Sequence, residues 1–137
     1  MKHHTMLIIA SLLSILLLTF HLTDDFLREG GMAVRGAWNL FAVLILFVWL
    51  YGTLVLAERR SGYIIMLLGA LVGVGMPVIH MVLARTVVTN EIARARGDYF
   101  FVWTLLAIGV TSLFSLILSA RGLWSRQWAA QSRQSSG

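Results

Sequence analysis

The sequence predicts an all-α protein, a bundle of four transmembrane helices with both termini in the cytoplasm. Hydrophobic residues make up 58% of the 137 residues and charged residues only 12%, whereas soluble domains carry roughly a quarter charged residues. The mean hydropathy is +0.82. All eleven Lys and Arg and all six Asp and Glu residues lie outside four long apolar segments. Uncharged blocks of this length belong in hydrocarbon, which excludes an ordinary soluble domain.

The four apolar segments are residues 6–22, 37–57, 63–84 and 99–120. The last three have 21 or 22 residues, which at about 1.5 Å per residue matches a hydrocarbon core of about 30 Å. The first segment follows Lys2 and resembles a secretory signal, but no small-residue cleavage pattern follows it. We therefore expect it to stay as a short first span.

The basic residues set the expected orientation. The side of the membrane that holds both termini has six basic residues and one acidic residue, a net charge of +5, whereas the other side has five of each. The excess places the termini in the cytoplasm. We expect residues 1–137 to form a single transmembrane domain, with a disordered, Ser- and Gln-rich tail over residues 125–137.

Small residues indicate how the helices pack. The second and third spans are joined by only five residues, 58–62, so they are antiparallel neighbours. Small residues at helical spacing let helix backbones approach closely in lipid, and a proline after them predicts a kink. The residues predicted to pack helices are Gly69, Gly73, Gly75, Pro77, Ser112, Ser115 and Ser119.

The sequence argues against several chemistries. It has no Cys, which excludes disulfides and thiolate metal sites. It also lacks a phosphate-binding loop, a nucleophile elbow, an HExxH motif and a pair of intramembrane carboxylates. We predict no catalytic residue, no enzyme activity and no required cofactor. The pI is about 10.8, but the arginines are dispersed at the bilayer edges, so we expect no nucleic-acid partner.

One cluster of ionisable residues is predicted at the outer ends of the first and third spans. It comprises His21, Asp24, Asp25 and His80, and two imidazoles with two carboxylates suit a metal ion such as Zn, Mn or Fe(II). The alternative is structural: Thr23 would cap a short surface helix with the two acids in its first turn, and His80 would donate to a backbone carbonyl. An ionisable residue inside a span is a functional candidate in either case.

Aromatic residues suggest a ligand site on the same side. Trp38, Asn39 and Trp103 lie near the predicted depth of His80. Together these four residues can line a cavity for a lipid tail, a quinone or a pigment. The alternative is that the two tryptophans belong to the aromatic belt at the membrane interface.

Two stretches carry a resemblance. The sequences VWLYGTLVLAERRSGY (residues 48–63) and PVIHM (residues 77–81) resemble those of small bacterial four-span integral membrane proteins with no assigned activity. The resemblance implies the bacterial inner membrane as the location and implies no mechanism.

Three functional hypotheses follow. The first is a non-catalytic accessory subunit, or a subunit that binds a lipid or another small ligand, acting in the bilayer through its helix faces in a homo- or hetero-oligomer. The second is a protein that handles a metal or small solute at the outer membrane face. The third is an oligomeric channel or transporter, although no acid or Arg lies at the midplane, where ion-coupled transporters keep their sites.

Overall fold

The structure is a computed structural model that describes the backbone of residues 2–28, 32–83 and 99–134 and the side chains of residues 3–24, 40–79 and 102–125. Every regular element in these ranges is helical, which confirms the all-α prediction. The helices, in chain order, are α1 (Lys2–Arg28), α2 (Met32–Leu54), α3 (Arg60–Leu83) and α4 (Tyr99–Gln134).

Three of these helices contain stretches long and apolar enough to cross a membrane: His3–Asp24, Arg60–Ile79 and Val102–Ser125. The apolar stretch found in α2, Leu40–Leu54, is shorter. Many large hydrophobic side chains on the outside of the bundle are exposed. The chain is therefore a helical membrane protein, in which each helix satisfies its backbone hydrogen bonds internally.

Helices α1, α3 and α4 form the centre of the bundle, and α2 packs on the outside against α3 and α1. Each of the three central helices carries a row of buried positions that recur at alternating spacings of four and three residues, as in left-handed helix packing. We call these positions the central seam. They are Leu7, Ser11, Ser14, Leu18 and His21 of α1, Tyr63, Met66, Ala70 and Gly73 of α3, and Ile108, Ser112, Ser115, Ser119 and Gly122 of α4.

Contacts along the central seam fix the directions of the helices. At one end, which we call the Tyr63 end, the rings of His4 and Tyr63 lie 6.4 Å apart and Gly122 packs against the Tyr63 ring. Further along, Gly73 contacts Ser112. Helices α1 and α3 thus run in the same direction and α4 runs against both. The spacing brings serine, alanine and glycine to the middle of the seam, where small residues let the backbones come close.

A tight turn joins α2 to α3. The Val55 amide donates to the Tyr51 carbonyl (2.9 Å), and the Arg59 amide donates to the Leu56 carbonyl (2.8 Å). A Cβ on Gly62 would collide with the backbone carbonyl of Leu56. Only glycine fits at this close approach, and the two helices form an antiparallel hairpin.

Two helices extend beyond the predicted spans. Thr23, the predicted cap of a separate surface helix, lies inside α1, and its hydroxyl donates to the Thr19 carbonyl (2.8 Å). That prediction was wrong because no Gly or Pro interrupts the helix before Gly30. Likewise, α4 continues to Gln134 through part of the predicted disordered tail, 125–137. Residues 123–134 contain no Gly or Pro, and their Ala, Leu, Gln and Arg residues favour helix.

Candidate functional site

The predicted metal cluster falls at the end of the bundle opposite Tyr63. His21 occupies a seam position and is fully buried, and Asp24 lies three residues further along α1, partly buried. The side chains of Asp25 and His80 lie outside the described residues. Within the described ranges, no group of three His, Cys, Asp or Glu residues is placed to hold a metal ion. The four-residue site stays a prediction.

Of the four predicted ligand residues, only Trp103 has a side chain within the described part of the structure. The side chains of Trp38 and Asn39 lie outside the described residues, although both positions belong to α2. Trp103 of α4 is 69% exposed and points away from the seam. A cavity formed by these aromatic residues with His80 therefore also stays a prediction.

The glycines predicted to pack helices have different surroundings. Gly69 packs against the indole of Trp49, and Gly73 against Ser112. A Cβ placed on Gly75 would meet nothing within 4 Å. Pro77 contacts α4, where its ring Cγ lies 2.9 Å from the Cβ position of Gly109. Of the three predicted glycines, Gly69 and Gly73 therefore lie at close contacts between elements and Gly75 does not.

The three predicted serines of α4 are all fully buried in the seam. In the described part of the chain, the Oγ atoms of Ser112, Ser115 and Ser119 have no hydrogen-bond partner. By contrast, Ser14 donates to the carbonyl of Ala10 in its own helix (2.9 Å). The serines of α4 contribute mainly their small size, which lets α1 and α3 approach α4 closely.

A buried hydrogen-bond group joins α1 to α2. The Trp49 indole Nε1–H donates to Ser11 Oγ (2.8 Å), and Ser11 Oγ lies 2.8 Å from Thr53 Oγ1. The Thr53 hydroxyl donates to the Trp49 carbonyl (2.9 Å). Since that bond uses the only Thr53 hydroxyl proton, the Ser11 hydroxyl must donate to Thr53. All three residues are buried, and the group fastens α2 to the central bundle.

Replacing Ser11 by alanine is expected to lower the free energy of unfolding by about 1–3 kcal/mol, because the buried indole N–H loses its acceptor. Ser14→Ala is the matched control: it removes a buried hydroxyl that bonds only within α1, and we expect a change below about 0.5 kcal/mol. Equilibrium denaturation in mild detergent measures both values. Equal losses in the two variants would contradict an interhelical role for Ser11.

An apolar groove lies between α2 and α3. Its volume is about 320 Å³, at the small end of the range for ligand pockets, roughly 300–1,000 Å³. Phe41, Leu44 and Val48 line the α2 side, and Ile65, Leu68 and Val72 line the α3 side. Leu68 is 55% exposed and Val72 38% exposed. The groove thus opens to the surroundings of the bundle and can accept a hydrocarbon chain.

Two residues explain why the groove exists. Gly69 forms part of its floor and has no side chain to fill it. Trp49 also reaches the groove, but its indole turns inward to Gly69 and Ser11. The two helices therefore touch through Trp49 and Gly69 while their outer side chains stand apart. The groove follows from the same contact that holds α2 in place.

Sequence reasoning did not identify the hydrogen-bond group or the groove. A signal for the first was present, because an indole N–H in hydrocarbon needs an acceptor. Ser11 and Thr53 lie near the same end of two antiparallel spans, so they were available to Trp49. The groove had no such signal, because its lining residues are ordinary hydrophobic residues of a span.

Comparison of the chain with protein-family models, with curated proteins and with solved structures finds no match.

Proposed function

We propose that the protein is a non-catalytic integral membrane protein that binds a lipid or another apolar small ligand through its helix faces, as an accessory subunit of a membrane assembly. The observation that carries this proposal is the α2–α3 groove, whose lining side chains are hydrophobic and which opens to the outside of the bundle. A site that offers hydrocarbon contacts and no reactive groups suits binding.

The proposed topology has four spans, with both termini in the cytoplasm of a bacterium and the bundle in its inner membrane. Helix α2 has 23 residues, of which the 19 that follow Arg35 carry no charge and correspond to about 28 Å of helix, close to the thickness of a hydrocarbon core of about 30 Å. The orientation is supported by the basic excess on the side of the termini, and the bacterial membrane by the resemblance given above.

The exposed face of α2 supports a role carried out through helix faces. Leu40, Phe41, Leu44 and Phe47 are each more than half exposed. In the described part of α2, burial is confined to Trp49, Gly52 and Thr53. Helix α2 therefore presents most of its apolar surface to lipid or to a neighbouring subunit.

Filling the groove tests the proposal. Val72→Trp places an indole in the groove, and we expect the amount of co-purifying lipid, measured by native mass spectrometry from mild detergent, to fall at least about tenfold, or about 1.4 kcal/mol in binding free energy. Val110→Trp is the control, because Val110 is 69% exposed on α4, away from the groove. Absence of a bound lipid from the wild type, or equal loss in both variants, would contradict the proposed ligand site.

A further inference from the structure

A pair of arginines lies where α3 begins, at the Tyr63 end of the bundle. Arg59 ends the turn between α2 and α3, Arg60 is the first residue of α3, and both side chains are exposed. Glu58 is the only acidic residue of this connection. The hydrogen bond from the Arg59 amide to the Leu56 carbonyl (2.8 Å) holds the turn compact, so both arginine side chains start from the end of the α2–α3 hairpin.

The arginine pair lies beyond the Ile65 end of the groove, in the direction of the Tyr63 end of the bundle. Ser61, Ile65, Leu68 and Val72 follow one another at spacings of four, three and four residues, so they share one face of α3. The last three line the groove, and Ser61 is exposed at the near end of the same face. A molecule that extends along this face from the groove therefore reaches Ser61 and its neighbours in the turn.

The depths of the charges and of the groove match those of a phospholipid. Ile65, the groove residue closest to the turn, lies five residues beyond Arg60, or about 7.5 Å along the helix. Each headgroup layer of a bilayer is roughly 5–7 Å thick, because the hydrocarbon core of about 30 Å lies within a total of about 40–45 Å. The arginines thus lie at headgroup level when the groove lies among the acyl chains.

Resting on the ligand groove proposed above, we propose that the α2–α3 groove binds one acyl chain of an anionic phospholipid, whose phosphate is held by Arg59 and Arg60. Guanidinium groups bind phosphate oxygens through paired, charge-assisted hydrogen bonds. The net positive charge of the connection favours a lipid with net negative charge over a zwitterionic one. A purely apolar solute would occupy the groove but would make no ionic contact with Arg59 or Arg60.

The test compares two lipids with identical acyl chains, phosphatidylglycerol and phosphatidylcholine, titrated into the full-length protein in mild detergent and followed by native mass spectrometry. We expect the wild type to prefer phosphatidylglycerol. Each arginine is expected to contribute about fivefold, so the double variant R59Q/R60Q should lose roughly 25-fold of its affinity for phosphatidylglycerol and bind phosphatidylcholine nearly unchanged. Arg121→Gln is the matched control, since Arg121 is an exposed arginine of α4 at the same end of the bundle.

The outcomes separate this site from the groove itself. Equal binding of both lipids by the wild type, or an equal loss in R121Q and R59Q/R60Q, would overturn the arginine site. The proposed function would stand in that case if Val72→Trp still removed the lipid. Binding of neither lipid would overturn both proposals. Excess inorganic phosphate should leave the lipid bound because it has no chain for the groove, and full displacement would overturn the combined site.

Discussion

Replacing Trp49 by alanine is expected to lower the free energy of unfolding by about 3–5 kcal/mol, the usual cost of removing a large buried aromatic side chain. Trp49 is 1% exposed. Its ring packs against Gly69, and its Cη2 atom lies 3.5 Å from the Cβ position of Gly73. The variant also leaves Ser11 without its indole donor. Helix α2 would lose its main contact with both α1 and α3.

The absence of native cysteines makes the measurement direct. Because the chain has no Cys, a single Ser115→Cys substitution in the seam supplies a buried thiol whose labelling rate reports unfolding during titration from mild detergent into SDS. Trp103→Ala in the same background is the control, because Trp103 is 69% exposed. We expect it to change the free energy of unfolding by less than about 1 kcal/mol. Similar losses in the two tryptophan variants would show that Trp49 does not hold the bundle together.

Replacing Gly73 by alanine is expected to destabilise the protein by about 1–3 kcal/mol, the cost of overpacking a close helix contact. A Cβ at this position would collide with Ser112, whose own Cβ lies only 2.8 Å away. The Ser112 Oγ can rotate aside, but its Cβ moves only with the backbone of α4. The helices must therefore separate to admit the methyl group.

Gly75→Ala is the matched control on the same helix, two residues away. A Cβ at Gly75 meets nothing within 4 Å, so the substitution removes only the flexibility of glycine, which favours the helix by up to about 1 kcal/mol. The same thiol-labelling assay measures both variants. Destabilisation by Gly75→Ala, or tolerance of Gly73→Ala, would contradict the close approach of α3 and α4 at Ser112.

The sequence predicted the features that depend on composition and spacing. The absence of charges from long segments indicates helices in lipid, and the described residues are helical throughout their regular elements. The short connection between α2 and α3 indicates a hairpin, which the structure contains. The helix ends were less predictable, because hydropathy marks where the hydrocarbon ends and the backbone can continue as helix beyond that level, as it does after Leu22 and Ala120.

The site was less predictable than the fold for a physical reason. Hydroxyls in a span bond to their own helix or to a neighbour, and the sequence does not distinguish Ser14, which bonds to Ala10, from Ser11, which bonds across to Trp49. The groove depends on how far two helices stand apart, which Gly69 and Trp49 decide together. The distance between two helices depends on both of them and cannot be inferred from the sequence of either helix alone.

The position of α4 between α1 and α3 has a consequence for biosynthesis. The hydrogen bond between Trp49 and Ser11 can form as soon as α2 has been translated after α1, because the two residues are only 38 positions apart. The surfaces of α1 and α3 that pack against α4 stay without this partner until α4, which follows them in the sequence, has been translated. During that interval the nascent chain exposes the small side chains of the seam, and incompletely packed intermediates of this kind are generally prone to misassembly.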